Sequence, residues 1–255
     1  MEAGAASPQV DIVMKVVFAG PSLFGVEHAQ AGLEFRPPVR QGDILVAIED
    51  GATHIGIIDG VFGFAPSIWH KEILYALSKG VVVMGSSSMG ALRAAECQQF
   101  GMIPIGRIAN AYVSGELDDD AAVALTMAPR EFGYMPFVEP LVDVWPSIEA
   151  VVAAGGVTAE EGEAIRLSAE HMYFEERTVE AMIATALPPN RFSDALKAYM
   201  QFRVSQKSLD ALELLAALRA AGGEPARSSG WNFHASPFWR RASELRLTVH
   251  SRDSC

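Results

Sequence analysis

The stretch Gly85-Ser86-Ser87-Ser88-Met89-Gly90 sets three hydroxyls and two flanking glycines between an apolar run, VVVMG at 81–85, and a helical pattern, MGALRAAECQQF at 89–100. A serine on such a strand-to-helix corner has an exposed oxygen. It also stands beside the free N–H groups and positive dipole end of the next helix. Ser88, with Gly85 before it and Gly90 after, has the layout of a nucleophile elbow, although Ser86 occupies the place of the first glycine in G-x-S-x-G. The corner suits acyl transfer or the holding of an anion. The plainer alternative is that Ser87 or Ser88 caps the helix, worth about 1 kcal/mol.

Other chemically capable side chains fall at the same expected rim. Asp59 ends the apolar run IGII, His70 and Lys71 open the helical pattern after Pro66-Ser67, and Arg93 lies in the second turn after Ser88. One assignment makes Ser88 the nucleophile, His70 or Lys71 the base and Asp59 the group that orients it. Ser87, Met89, Arg93, Glu72 and Glu96 would then bind the substrate or its anion. His70 and Lys71 are about 100° apart on a helix, so at most one faces a cleft squarely. Each residue also has a structural alternative. Asp59 can cap a turn, His70 can be a surface imidazole, Lys71–Glu72 a solvated pair, and Arg93–Glu96 a local ion pair.

No metal or cofactor is expected. Asp118-Asp119-Asp120 precedes AAVAL and reads as a solvated capping cluster, and there is no P-loop, G-x-G-x-x-G or H-E-x-x-H. Cys97 lies in mid-helix and reads as a small packing residue, while Cys255 stands at the end of the tail. Two cysteines make no disulfide framework, which fits a reducing, cytoplasmic setting.

The elements that must position these groups follow from periodicity. Residues 12–20 and 54–60 are β-branched apolar runs ending at glycine, and 81–85 is a third. A short helix is expected over 41–50 with Asp43 as its N-cap, and another from Pro66-Ser67 to Lys79-Gly80. Strand, helix, strand, turn and helix in succession imply right-handed crossovers: an α/β fold with an open parallel sheet flanked by helices, Rossmann-like, and a helical C-terminal portion. The expected division is an α/β core over 12–140, a helical subdomain over 141–222 and a weakly ordered tail over 223–255, with one docked segment around Trp231–Trp239. KSLDALELLAALRAAGG is the clearest C-terminal helix, with Leu209, Leu212, Leu215 and Leu218 as its apolar face.

Twenty Lys+Arg against 31 Asp+Glu give a net charge of −11 over 255 residues, half of them hydrophobic. Such a chain lacks the cationic surface that nucleic acids require. The first residues read as a loose acidic leader running into a strand, not as a signal peptide, and no apolar run is long enough to span a membrane.

Several strings together resemble the TfuA family: VVFAGPSL at 16–23, IIDGVF at 57–62, WHKEILYAL at 69–77, GSSSMGALRAAE at 85–96, DDDAAVAL at 118–125, EPLVDVW at 139–145 and QKSLDALELL at 206–215. The resemblance implies a role in peptide-backbone thioamidation beside a YcaO-type ATP-dependent enzyme. The TfuA-like partner would help to supply sulfur, from a thiocarboxylated ubiquitin-like carrier protein, to a ribosomally made precursor peptide. Breaking a thiocarboxylate is acyl transfer, which a serine with a base and an anion hole can perform. Cys97, Thr126 and Trp145 depart from the family's pattern. A non-catalytic adaptor and, more remotely, a phosphate-binding site at the serine turn are the rival readings; homo-oligomerisation stays open.

Overall fold

The computed structural model describes residues 13–61, 65–222, 230–237, 239–241 and 243. Five parallel strands, β1 (Lys15–Phe18), β2 (Glu34–Arg36), β3 (His54–Ile57), β4 (Val82–Gly85) and β5 (Ile103–Pro104), form one sheet in the order β2-β1-β3-β4-β5. Their connections contain α1 (Asp43–Glu49), α2 (His70–Ser78) and α3 (Met89–Cys97), and α4 (Gly106–Ser114) follows β5. The order 2-1-3-4-5 is that of a doubly wound α/β sheet. It puts the topological switch between β1 and β3, where ligands of such folds bind outside the strand carboxyl ends.

The inner strands β1, β3 and β4 are buried on both faces, which explains why their sequences are mostly apolar instead of alternating, whereas the edge strands β2 and β5 are partly exposed. Val16, Phe18, Ile55, Ile57 and Val83 face α1, α2 and the Ala94–Cys97 end of α3. Val17, Ile58, Val82 and Met84 face Ala211, Leu214, Leu215 and Leu218 of α9 (Gln206–Ala220). Gly56 makes that second contact close: a Cβ there would stand 2.7 Å from a Leu214 methyl. The helical portion therefore begins as its own layer and ends on the sheet. The helices α5 (Leu141–Ala153), α6 (Ala159–His171), α7 (Val179–Ala186) and α8 (Pro189–Phe202) share a separate core with parts of α3 and α4, before the chain returns as α9.

Local boundaries differ from expectation where capping chemistry decides them. The helix expected from Pro66 starts at His70, because Trp69 is extended and the Glu72 carboxylate accepts its N–H. At α1 the N-cap is Gly42, in the left-handed region at φ 94°, while the Asp43 carboxylate accepts from the Arg40 N–H. On α9 the buried stripe runs through Ala211, Leu214, Leu215 and Leu218, and Leu209 is half exposed.

In the C-terminal region, Trp231 donates to the Phe100 carbonyl at 3.0 Å, and Trp239 is buried beside Tyr75 and Phe233. The loop residues Phe62 and Gly63, and the tail residues other than 230–237, 239–241 and 243, lie outside the described residues. Among the described residues, no helix is long and apolar enough to cross a membrane.

Candidate active site

The turn after β4 is built by close backbone approach. A Cβ on Gly85 would run into the Gly90 carbonyl, and one on Gly90 would run into the Ile57 carbonyl. Only glycine at both positions lets α3 start directly over the end of β3. The Ser88 N–H donates to the Ile58 and Ser86 carbonyls at 3.3 and 2.8 Å, and the Gly90 N–H to Ile58 at 3.2 Å. Ser87 carries this turn in the left-handed region at φ 62°, and Tyr134 does the same at φ 61°. These are the two non-glycine residues with positive φ among those described. Ser87 adjoins Ser88 and Tyr134 lines the same cavity, which fits the placing of backbone strain at working sites.

Ser88 stands at the N-cap position of α3, yet its side chain makes no capping bond. Its Oγ instead accepts from the Nζ of Lys207 at 3.1 Å. Lys207 reaches it from the first turn of α9, donates also to the Val123 carbonyl at 2.9 Å, and is 1% exposed. The Ser87 Oγ donates to the Lys207 carbonyl at 2.8 Å, so the serine turn grips the lysine at both ends. Burial lowers the Lys207 ammonium from its ordinary value, against the opposing charges of Asp59 and Asp143. A buried lysine so placed is suited to take up a proton from a hydroxyl.

Asp59 stands where the β3 carboxyl end meets the switch point. Its Oδ2 accepts from the Gly20 and Ser22 N–H groups at 2.9 and 3.1 Å, and its Oδ1 from the Ser22 hydroxyl at 2.7 Å. It therefore holds the loop after β1 against the loop after β3. Between these loops and Ser88 lies a cavity of about 210 Å³ lined by Pro21, Gly60, Val61, Leu125, Met127 and Tyr134. A second, of about 460 Å³, is bordered by Lys207, Asp143, Arg203, Phe24 and Val138, and shares Pro21 and Leu125 with the first. Ser88 faces one cavity and Lys207 the other.

The structure does not assemble Asp59, His70 and Ser88 into a triad. The His70 Nε2–H donates to the Glu96 carboxylate at 2.7 Å, and Arg93 donates to the same oxygen at 2.6 Å. Glu96 is eight residues beyond Ser88, about 12 Å along the helix axis, so this network belongs to the outer surface of α2 and α3. Burial raises the Glu96 carboxyl, but the bonds from His70 and Arg93 outweigh it and leave it below its ordinary value. Lys71 is held by the C-terminal segment, donating to the His234 carbonyl and the Ser236 hydroxyl at 3.2 and 3.3 Å.

Glu72 is buried, not part of a solvated pair, and its carboxylate accepts the Gly42 N–H at 2.7 Å. That ties the start of α2 to the start of α1. Thus Ser88 and Ser87 bond to Lys207 and the Asp59 charge acts on it, whereas His70, Lys71, Arg93, Glu72 and Glu96 take up other partners. Asp119 caps the turn at Asp120–Ala122 through its bond from Ala121, and no group of residues suited to a metal occurs among those described.

Lys207 is the residue that periodicity alone could have flagged. It stands at 207 in the series 207, 211, 214, 218, the buried stripe of α9. A cation on a buried stripe requires a polar partner, and that partner is the site.

No curated protein matches the chain. Residues 59–178 match the TfuA family, described as TfuA-like protein. The matched stretch starts at Asp59, takes in the glycine-serine turn with Ser88, and ends beyond Asp143 in the helical layer. Over that stretch, the chain is similar to the TfuA-like proteins.

Proposed function

We propose that this protein releases sulfur from a thiocarboxylated carrier protein by acyl transfer to Ser88, with Lys207 as the base, in support of a YcaO-type enzyme that thioamidates a precursor peptide. The observation that carries the reading is the buried Lys207 Nζ–Ser88 Oγ contact of 3.1 Å at a cavity on the switch-point edge. A serine with a lysine base is an established variant of the nucleophile–base pair, recognised by geometry and not by sequence order.

In this scheme the neutral Lys207 amine takes the Ser88 proton as Oγ attacks the thioacid carbonyl carbon. The oxyanion meets the Met89 N–H, which opens α3 and has no intrahelical acceptor, together with the positive end of that helix. The Lys207 ammonium returns its proton to sulfur, the C–S bond breaks and HS⁻ leaves, with the acyl group on Ser88. Water, deprotonated by Lys207, then attacks the ester, giving the carrier carboxylate and free Ser88. Overall one thiocarboxylate and one water become one carboxylate and one sulfide. The apolar lining of the Ser88 cavity limits water around the reacting atoms.

The test is to incubate the purified protein with a thiocarboxylated carrier and to follow sulfide and the carrier's mass. Turnover by the natural protein and its loss in Ser88→Ala and Lys207→Met support the scheme; no turnover by the natural protein, or unchanged turnover in Ser88→Ala, overturns it.

A docking role for the same face has its own support. Phe132 is 68% exposed and Phe137 54%, with Met135 between them, on the segment whose Tyr134 and Pro136 line the two cavities. Exposed apolar groups at a site mouth mark a surface for a macromolecular partner. If Ser88→Ala still raises thioamidation by the YcaO-type enzyme when sulfide is supplied in solution, the protein acts as an adaptor.

A further inference from the structure

The Lys207 amine stands where it does because of α5. Asp143, buried in the first turn of that helix, accepts the main-chain N–H of Lys207 on Oδ1 at 2.9 Å and the Ser205 hydroxyl on Oδ2 at 3.0 Å. One turn later the Ser147 hydroxyl accepts the Val204 N–H at 2.9 Å and donates to the Asp143 carbonyl at 2.6 Å. Residues 204–207 are therefore fastened to one face of α5, and in the first turn of α9 the Lys207 N–H is answered by a carboxylate, which also suits the helix dipole, and the Ser208 N–H by the Ser205 hydroxyl.

The same carboxylate is a buried negative charge next to a buried cation. Around Asp143 stand Glu139 from just before α5, Tyr199 and Arg203 from α8 and its end, Ser205 at the N-cap of α9 and Lys207 in its first turn. Around Lys207 the charged groups are Asp143 and Asp59. Burial raises the Asp143 carboxyl to about 6, against the bonds from Lys207 and Ser205.

We propose that Asp143 is the positioning residue of the Ser88–Lys207 pair: it fixes the start of α9 so that the amine reaches Ser88, and its charge sets how readily that amine gives up its proton. The proposal rests on Lys207 being the base of the reaction proposed above. It makes a prediction of definite sign. A neighbouring anion favours the ammonium, so neutralising Asp143 lets Lys207 lose its proton at lower pH.

Two measurements on the full chain separate this inference from that reading. The first follows the Lys207 side-chain resonance against pH in the natural protein and in Asp143→Asn, and it needs no substrate. The expected result is a Lys207 midpoint lower by about half a unit or more in the variant, since a nearby opposite charge moves such groups by about a unit. An unmoved midpoint overturns the inference whatever the turnover. If Asp143→Asn does not fold, the natural protein serves instead: its Lys207 resonance should record a second, smaller step where Asp143 titrates, and a single step overturns the proposal.

The second measures thioacid turnover against pH. A shift of the rising limb to lower pH in Asp143→Asn is the expected outcome. A profile merely scaled down, with the limb in place, assigns Asp143 a structural role only and overturns the electrostatic part. Absence of turnover in the natural protein removes the reaction but leaves the resonance result standing.

Discussion

The Nζ of Lys207 and the Oγ of Ser88, 119 residues apart in the chain, share a hydrogen bond of 3.1 Å under complete cover. Removing the amine should slow the chemistry, at a cost in stability that a melt reads separately. Lys207→Met keeps the length of the side chain but leaves Asp59 and Asp143 buried without their cation, a loss of about 3–5 kcal/mol. Turnover should fall about 10²- to 10⁴-fold, the usual contribution of a positioned base. Adding Ser88→Ala should cost little more, since groups acting as a unit are not additive. Thioacid kinetics and a thermal melt on the single and double variants check both statements.

His70→Ala and Lys71→Ala should leave thioacid turnover unchanged. His70 is half exposed and bound to Glu96, and Lys71 is held by Ser236 and His234. Exposed pairs of this kind contribute about 0–1 kcal/mol, so the melting temperature should hardly move either. Loss of activity in either variant would return the base to α2.

Gly90→Ala should be among the most damaging small substitutions, because the new methyl would overlap the Ile57 carbonyl and force α3 off the end of β3. A cost of more than about 4 kcal/mol is expected, as overpacking meets backbone that cannot yield. Gly25→Ala is the control: its φ is 70°, nothing stands within 4 Å of the added Cβ, and the cost should be near 1 kcal/mol. Urea midpoints of the two variants give the comparison.

Asp143 also gives stability a pH dependence of unusual sign. Burial raises its carboxyl from 3.8 to about 6, so the folded protein holds that proton more tightly than the unfolded chain does. Stability from this group is therefore absent at pH 8 and gained as pH falls from above 6 towards 4. The Lys207 amine acts the other way, since its lowered value makes stability grow with pH towards 10.5. The difference in urea midpoint between the natural protein and Asp143→Asn should shift in favour of the natural protein on going from pH 8 to pH 5.

Cys97 should be inert in the native state. Burial, with the nearby Glu96 charge, pushes its thiol up to about 12 against the pull of Arg93. Little thiolate exists at pH 8, and iodoacetamide should label Cys97 only once the chain is unfolded. Rapid labelling of the folded protein would contradict this.

The strands, the helices that separate them and the glycine-serine corner were legible in the sequence because each is a local matter. An apolar run bounded by glycine makes a buried strand, and only glycine tolerates the backbone approach at 85 and 90. The same local logic marked Ser88, and it equally promoted His70 and Lys71, whose nearness along the chain carried no information about which surface of α2 they occupy.

What only the tertiary structure decided is the partner of Ser88. The amphipathic stripe of α9 says that one side of the helix is covered, not what covers it. The sheet's second face was open to any helix of suitable shape. Gly56, the Leu214 contact and the α5 fastening through Asp143 choose α9 and set its first turn beside the serine. Long-range packing of this kind depends on shape and buried charge summed over several elements, and no short window of sequence contains it.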